Sequence, residues 1–294
     1  MLRDLLRVAR PYQWSKNLFI FVPLFFAFNI YGMWEIDYRV AVGVFLGFSL
    51  VCSSVYCLND IIDRRYDRLH PTKRHRPIAS GRVSVRAGAW LMLILALGGG
   101  ALLMSSSPAT IFSPVILYVI LNILYSLWLK NIAIVDVFII ALGFILRLWI
   151  GAICFSIPLS HWIVIVTFLL ALFLALAKRR DDCVLLEKSG QKMRQNIESY
   201  NRAFLDVAMS VSASLVMVAY IFYSIDEAVE QRFGTDKLYF TSLFVLLGIF
   251  RYLQITFVQE RSSNPSKILL TDRFLQIVIL LWLVCFVGLV YFKV

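Results

Sequence analysis

Apolar runs of similar length recur along this chain, separated by short polar stretches that hold most of its charge. A bilayer core about 30 Å thick takes roughly 20 apolar residues in helical form, because every backbone polar group must be satisfied within the segment. On that scale nine spans are predicted, at 18–33, 40–58, 87–104, 111–129, 132–153, 162–177, 204–224, 238–254 and 274–291. The third and fourth abut and are divided at Ser105-Ser106-Ser107-Pro108, a polar cluster closed by a helix breaker. Residues 1–17 read as an interfacial helix: Leu2, Leu5, Leu6 and Ala9 follow helical spacing, Arg3, Arg7 and Arg10 lie between them, and Pro11 ends the pattern. The first span lacks a small-residue cleavage site and reads as a retained anchor.

Charge placement tests this division, since Lys and Arg accumulate in cytoplasmic loops. With the N-terminus inside, 24 of the 29 basic residues fall in inner segments or at their edges. Arg39, Arg232, Lys237 and Lys293 fall outside, and Arg147 lies within the fifth span. Composition agrees: 60% of residues are hydrophobic and 16% charged, against about 25% charged in soluble domains. A disordered chain and a soluble nucleic-acid binder are excluded despite the net charge of +11. The five cysteines show no ligand spacing, and His70, His75 and His161 form no zinc-hydrolase pattern, so neither a disulfide framework nor a zinc site is expected.

The polar residues concentrate in two places. In the first, Asn59, Asp60, Asp63 and Asp67 lie within about two turns if the second helix continues past the membrane, and Asp60, Asp63 and Asp67 then share one face. Such carboxylates repel one another unless a cation sits between them, and oxygen ligands so arranged suit Mg²⁺. His70, Lys73, Arg74, His75, Arg76 and Arg82 follow, and together these describe a diphosphate site. A solvated helix end with positive-inside residues would explain the arginines but not the acidic stripe. The second concentration begins at Lys178, Arg179 and Arg180 and continues with Asp181, Asp182 and Glu187. Alone it reports topology; beside a diphosphate site it offers cations for a second anion. Tyr125 to Lys130 and Gln13 to Asn17 each place a Lys at the inner end of a span, where snorkelling beside an aromatic belt is the plain alternative to a role in binding. Asp136 and Arg147 are about three turns apart on one face; ionisable residues in a span usually face the protein interior, and outward snorkelling is the alternative for Arg147.

The pattern Asn59-Asp60-x-x-Asp63-x-x-x-Asp67 on the second helix, followed by a basic loop, resembles the first acidic motif of the UbiA prenyltransferase superfamily. Its branch of decaprenyl-phosphate phosphoribosyltransferases is the nearer resemblance. It is carried by RPYQWSKN at 10–17, the run 53–81, YSLWLK at 125–130, GFILRLWIGA at 143–152, KRRDD at 178–182, IESY at 197–200 and LLTDRFLQ at 269–276. The resemblance implies an all-α integral membrane bundle in one domain over 1–294, with active-site loops at 59–86 and 178–203 on the cytoplasmic side of the inner (plasma) membrane. It implies Mg²⁺-dependent transfer of a 5-phosphoribosyl group from 5-phosphoribosyl 1-diphosphate to a polyprenyl phosphate, giving a lipid-linked pentose precursor for surface glycans. Asn59, Asp63 and Asp67 would hold the metal, with Asp60, Asp63 and Asp67 catalytic. Lys16, Asn17, Tyr56, Lys73, Arg74, Arg76, Tyr125, Lys130, Arg147, Lys178, Arg179 and Asp182 would bind substrate, Asp182 at a ribose hydroxyl. The bilayer, the donor and the lipid acceptor are the expected partners; nucleic acid is not, and a homo-oligomer is compatible.

Two competing readings separate from this one on sequence. An aromatic prenyltransferase shares the first motif but usually carries a spaced aspartate series at the second position, where this chain has Lys-Arg-Arg-Asp-Asp. That cation-rich segment favours two anionic substrates over a diphosphate and a ring. A transporter of a phosphorylated solute would need polar residues near the midplane of several spans. Here the polar groups gather at one membrane face, which suits an enzyme with a soluble donor and a lipid acceptor.

Overall fold

The computed structural model describes residues 2–31, 37–69, 73–189, 195–260 and 265–292, and every regular element among them is helical. The chain forms two compact units, Met1–Leu159 and Ser160–Val294. The first holds α1 (Leu2–Ala9), a 3-10 stretch (Pro11–Phe21), α2 (Val22–Tyr31), α3 (Tyr38–Ile62), α4 (Arg64–Leu69), α5 (Val85–Ser106), α6 (Phe112–Leu127) and α7 (Val135–Cys154). The second holds α8 (His161–Ser189), α9 (Arg202–Ser224), α10 (Glu227–Phe233), α11 (Ser242–Phe257), α12 (Pro265–Thr271) and α13 (Arg273–Phe292). Among the described residues, eight helical segments are long and apolar enough to cross a membrane: α3, α5, α6 with the 3-10 turn before it (Ala109–Leu127), α7, α8, α9, α11 with the 3-10 turn before it (Leu238–Phe257), and α13.

Local chemistry sets the helix ends. Asp37 starts α3 by accepting from the Arg39 N–H at 2.8 Å, Ser84 starts α5 through the Ala87 N–H at 3.1 Å, and Asn201 starts α9 through the Phe204 N–H at 2.7 Å. The division expected at 105–108 holds: α5 stops at Ser106, Ser107 and Pro108 are extended, and a 3-10 turn leads into α6. Asp272, before α13, accepts from the Leu275 N–H at 2.9 Å and from two Arg251 nitrogens at 3.2 and 2.7 Å. The Arg251 hydrogen bonds hold its carboxyl below the usual range.

Three expectations are corrected. The first predicted span, 18–33, is not one α-helix: it starts inside the 3-10 stretch and becomes α-helical only at Val22, and residues 32 and 33 lie outside the described residues. The segment 59–86 is not simply a loop, since α3 runs on to Ile62 and α4 follows at once; His70 lies outside the described residues. The segment 178–203 is helical at its start, because α8 runs unbroken for 29 residues to Ser189. Lys, Arg, Leu and Glu are good helix formers, so leaving the apolar run does not end the helix.

The core of the first unit gathers Ile20, Phe48, Cys52, Leu103, Ile111, Tyr118 and Ile150. Small residues let α3 and α5 approach closely, as membrane helices do: a Cβ on Gly99 would lie 2.7 Å from the Gly47 carbonyl oxygen. A second cluster of Val8, Cys57, Ile78 and Val83 fixes α1 and the turn after Pro77 against the end of α3. On α7, Gly151 meets the 3-10 stretch so closely that a Cβ there would run into the Ile20 carbonyl. Gly151→Ala is therefore expected to cost about 1–3 kcal/mol through backbone displacement, read as a lowered Tm of the detergent-purified protein; an unchanged Tm would contradict this packing.

Candidate functional site

The acidic residues gather where α3 ends. The Asp63 N–H donates to the Asn59 carbonyl at 2.9 Å and the Asp67 N–H donates to the Asp63 carbonyl at 2.8 Å, so α3 passes into α4 through one turn residue. That turn separates the stripe into two sets of partners. Asp60 and Asp67, only 1% and 3% exposed, both accept from Arg76 Nη1, at 3.0 and 2.8 Å. Arg10 Nη2 donates to the same Asp60 oxygen, and its guanidinium lies 5.4 Å above the Tyr56 ring. Asp63 is partly exposed and instead accepts from Lys130 Nζ, which the 3-10 turn Leu129–Asn131 presents after α6. The carboxylates expected to share one face around a cation thus have cationic partners within the chain itself: two guanidiniums and an ammonium.

Arg10 is the partner that the sequence places at the end of an interfacial helix and at the head of the RPYQWSKN motif, with no site role of its own. Its backbone is left-handed, φ 53° and ψ 54°, a conformation that is costly for a non-glycine residue and persists when its surroundings impose it. The ion pair to Asp60 and the anchoring of neighbouring Val8 supply that constraint. An arginine before proline at the end of an amphipathic pattern was the available signal.

Asn17 and Arg147, both expected to bind substrate, are committed to each other. Arg147 is 5% exposed; its Nε donates to Asn17 Oδ1 at 2.9 Å, Nη1 to the Gly143 carbonyl at 2.6 Å and Nη2 to the Tyr118 hydroxyl at 3.3 Å. Its guanidinium lies 5.0–5.6 Å from the Tyr118, Phe144 and Phe48 rings. Asn17 donates onward to Ser49 Oγ at 2.9 Å. Asp136 is fully buried on the same helix. Lys16, Lys73 and Tyr125 are partly buried, while Arg74 is exposed with its Nε 3.3 Å from His75 Nε2.

In the second unit, Lys178 is exposed on α8, and Arg179 is wholly buried with Nη1 3.6 Å from an Asp182 oxygen. Arg180 ties three helices together: it donates to Asp206 of α9 at 2.5 Å and to the Thr256 carbonyl of α11 at 2.8 Å, and it stacks on Phe257 at 4.9 Å.

Among the described residues, no group of three or more His, Cys, Asp or Glu side chains is arranged to hold a metal. The donors left for a hard cation are the Asn59 amide oxygen and the Asp63 carboxylate, one turn apart and partly exposed. Mg²⁺ accepts such a set, taking its other ligands from water and phosphate. The buried pairs generate a separate expectation. Arg76→Met strands the Asp67 carboxylate and should cost about 3–5 kcal/mol. Adding Asp67→Asn to Arg76→Met should recover part of the loss in thermal denaturation, and strict additivity of the two would refute the coupling.

Residues 20–284 match the model of the UbiA prenyltransferase family. A decaprenyl-phosphate phosphoribosyltransferase of Mycolicibacterium smegmatis is 31% identical over 308 residues, covering 100% of this chain and 94% of that one. Another of that name, from Corynebacterium glutamicum, is 28% identical over 98% and 86% of the two chains. In fold, the chain is similar to a UbiA homolog from Archaeoglobus fulgidus bound to DMAPP and Mg²⁺, with a TM-score of 0.70 at 19% identity over 98% of this chain and 99% of that one. A match across nearly the whole sequence, with eight apolar membrane-length segments among the described residues, makes this chain a multi-pass membrane transferase that belongs to the UbiA prenyltransferase family.

Proposed function

We propose that the protein transfers a 5-phosphoribosyl group from 5-phosphoribosyl 1-diphosphate to a polyprenyl phosphate of decaprenyl type. The observation that carries this reading is the Asp63–Lys130 pair, a partly exposed carboxylate and ammonium beside Asn59 where α3 ends. A metal-bound diphosphate needs both kinds of group: oxygen ligands for the metal and a cation for the phosphate oxygens left over. The phosphoribosyl branch is supported by the names of relatives that align over the full chain.

Mg²⁺, when bound, would neutralise charge on the departing diphosphate. Asn59 and Asp63 are the residues to hold it, and Lys130, Lys16, Tyr56, Lys73 and Arg74 are assigned to the donor phosphates. The acceptor phosphate oxygen attacks ribose C1 as the bond from C1 to the diphosphate oxygen breaks, and the electron pair leaves with the diphosphate. The acceptor is already an anion, so no strong general base is needed. The catalytic task is to hold two mutually repelling anions in register. Asp60 and Asp67 serve this task by fixing Arg10 and Arg76, and Arg147 with Asn17 supports the strand of chain that carries Lys16. For Lys178 and Arg179 at the acceptor phosphate, and Asp182 at a ribose hydroxyl, the resemblance is the support.

The bilayer arrangement is part of the proposal. Eleven 3-10 residues rise roughly 22 Å and the ten of α2 about 15 Å, enough to make 11–31 a ninth crossing. The end of α3 then faces the cytosol of the inner (plasma) membrane, where the soluble donor arrives. The product is a polyprenyl phosphoribose, a lipid-linked pentose suited to arabinan-type surface glycans.

Membranes supplied with labelled 5-phosphoribosyl 1-diphosphate, Mg²⁺ and polyprenyl phosphate should place the label in a lipid. Unlabelled lipid together with prenyl transfer from an isoprenyl diphosphate to an aromatic acid would replace this reading by the aromatic prenyltransferase one. Asp63→Asn should reduce turnover by about 100-fold or more without lowering Tm, whereas retained turnover would remove the metal assignment.

A further inference from the structure

Beside Asp60, on the side of α3 occupied by α1, lies a cavity of about 610 Å³ lined by Arg3, Arg7, Arg10, His75, Arg76 and Asp60. Four guanidiniums border it; Arg10 and Arg76 converge on a single Asp60 oxygen and Arg76 also reaches Asp67, so with Asp4 beside Arg7 three carboxylates stand against the four. Arg7 also lies 3.7 Å from Asp4 in an exposed pair of the kind that contributes little. The excess of guanidiniums over carboxylates leaves a net positive potential, and planar guanidinium forks match phosphate oxygens.

We infer that this cavity is a phosphate-binding site distinct from the one at Asn59, Asp63 and Lys130. Arg3 and Arg7 of α1 would close on the anion from the outer side, and Arg10 and Arg76 would receive it from the inner side. The chemistry defines a phosphomonoester or diphosphate group and allows two carriers. Leu2 and Leu6 are exposed on α1 beside these arginines, the arrangement of a helix lying on a membrane surface, which would bring a lipid headgroup; the open cavity equally admits a soluble phosphate. Nothing in this inference rests on the assignment of the phosphoribosyl donor.

The full-length protein in uncharged detergent is titrated with inorganic diphosphate without Mg²⁺, and separately with micelles of phosphatidic acid or phosphatidylcholine, reading Tm and apparent Kd. Diphosphate, or phosphatidic acid but not phosphatidylcholine, should stabilise the protein; the probe that does so identifies the carrier. The double variant Arg3→Gln/Arg7→Gln should weaken this binding roughly tenfold or more, and Arg3→Lys/Arg7→Lys should retain part of it. Arg64→Gln/Arg65→Gln, which removes the same charge from α4, should leave it unchanged, as should Asp63→Asn. The inference is overturned if neither probe binds, if Arg3→Gln/Arg7→Gln binds as the parent does, or if the α4 variant loses as much, which would mean net charge alone. Loss of binding in Asp63→Asn would move the ligand to the other site and overturn it too.

Discussion

A carboxylate buried at the end of an apolar helix is the constraint around which the first unit is arranged. Asp60, 1% exposed, has lost its hydration and can stay ionised there only with close cationic partners. Two guanidiniums supply them, from segments distant in sequence. Each arrives beside a hydrophobic anchor: Val8 lies two residues before Arg10 and Ile78 two residues after Arg76, and both anchors pack with Cys57, less than a turn before Asp60. Apolar packing delivers the charges, and the charges hold the packed segments in register. Arg76 extends the arrangement to Asp67 and so to α4.

The same arrangement separates the acidic residues by task. Charges 4 Å apart attract by about 1 kcal/mol in water and about 4 kcal/mol at an effective dielectric of 20, so burial decides which pairs a ligand can open. The carboxylates of Asp60 and Asp67 are shielded and act as fasteners, although the guanidiniums of Arg10 and Arg76 that they hold still border the cavity beside α1. Asp63 with Lys130, reachable by solvent, can exchange partners with a diphosphate and its metal. Counting aspartates along the chain overstates the ligands on offer for this reason.

Where the sequence was legible, the signal was local. Long apolar runs marked eight of the helices, and Ser107-Pro108 marked the break between α5 and α6, because chain-breaking chemistry acts within a few residues. The extension of α8 through Lys178 to Ser189 was not legible, since hydropathy reports the membrane and not the helix. Nor was the split of the acidic stripe: Asp60 and Asp67, on either side of the turn at Asp63, share Arg76, while Asp63 meets Lys130 from a distant segment. The partnerships of Arg10 and Lys130 join residues 50 and 67 positions away, a distance no periodicity spans.

The 3-10 stretch Pro11–Phe21 poses the hardest question, because runs of that helix beyond three or four residues are uncommon. Its two fixed points on α7 explain its persistence. Asn17 is hydrogen-bonded to Arg147, and Ile20 is pressed against Gly151. Along the stretch these contacts are three residues apart, and along α7 four. At about 2.0 Å per 3-10 residue and 1.5 Å per α residue, both intervals come to roughly 6 Å. Wound as an α-helix, the stretch would cover only about 4.5 Å between the same residues and would miss one partner. The two chains run parallel, so the match holds without slippage, and Arg147 can be satisfied by an amide, a carbonyl, a hydroxyl and aromatic rings with no carboxylate in those contacts. An arginine buried in a span thereby holds the segment that carries Lys16 in register with α7.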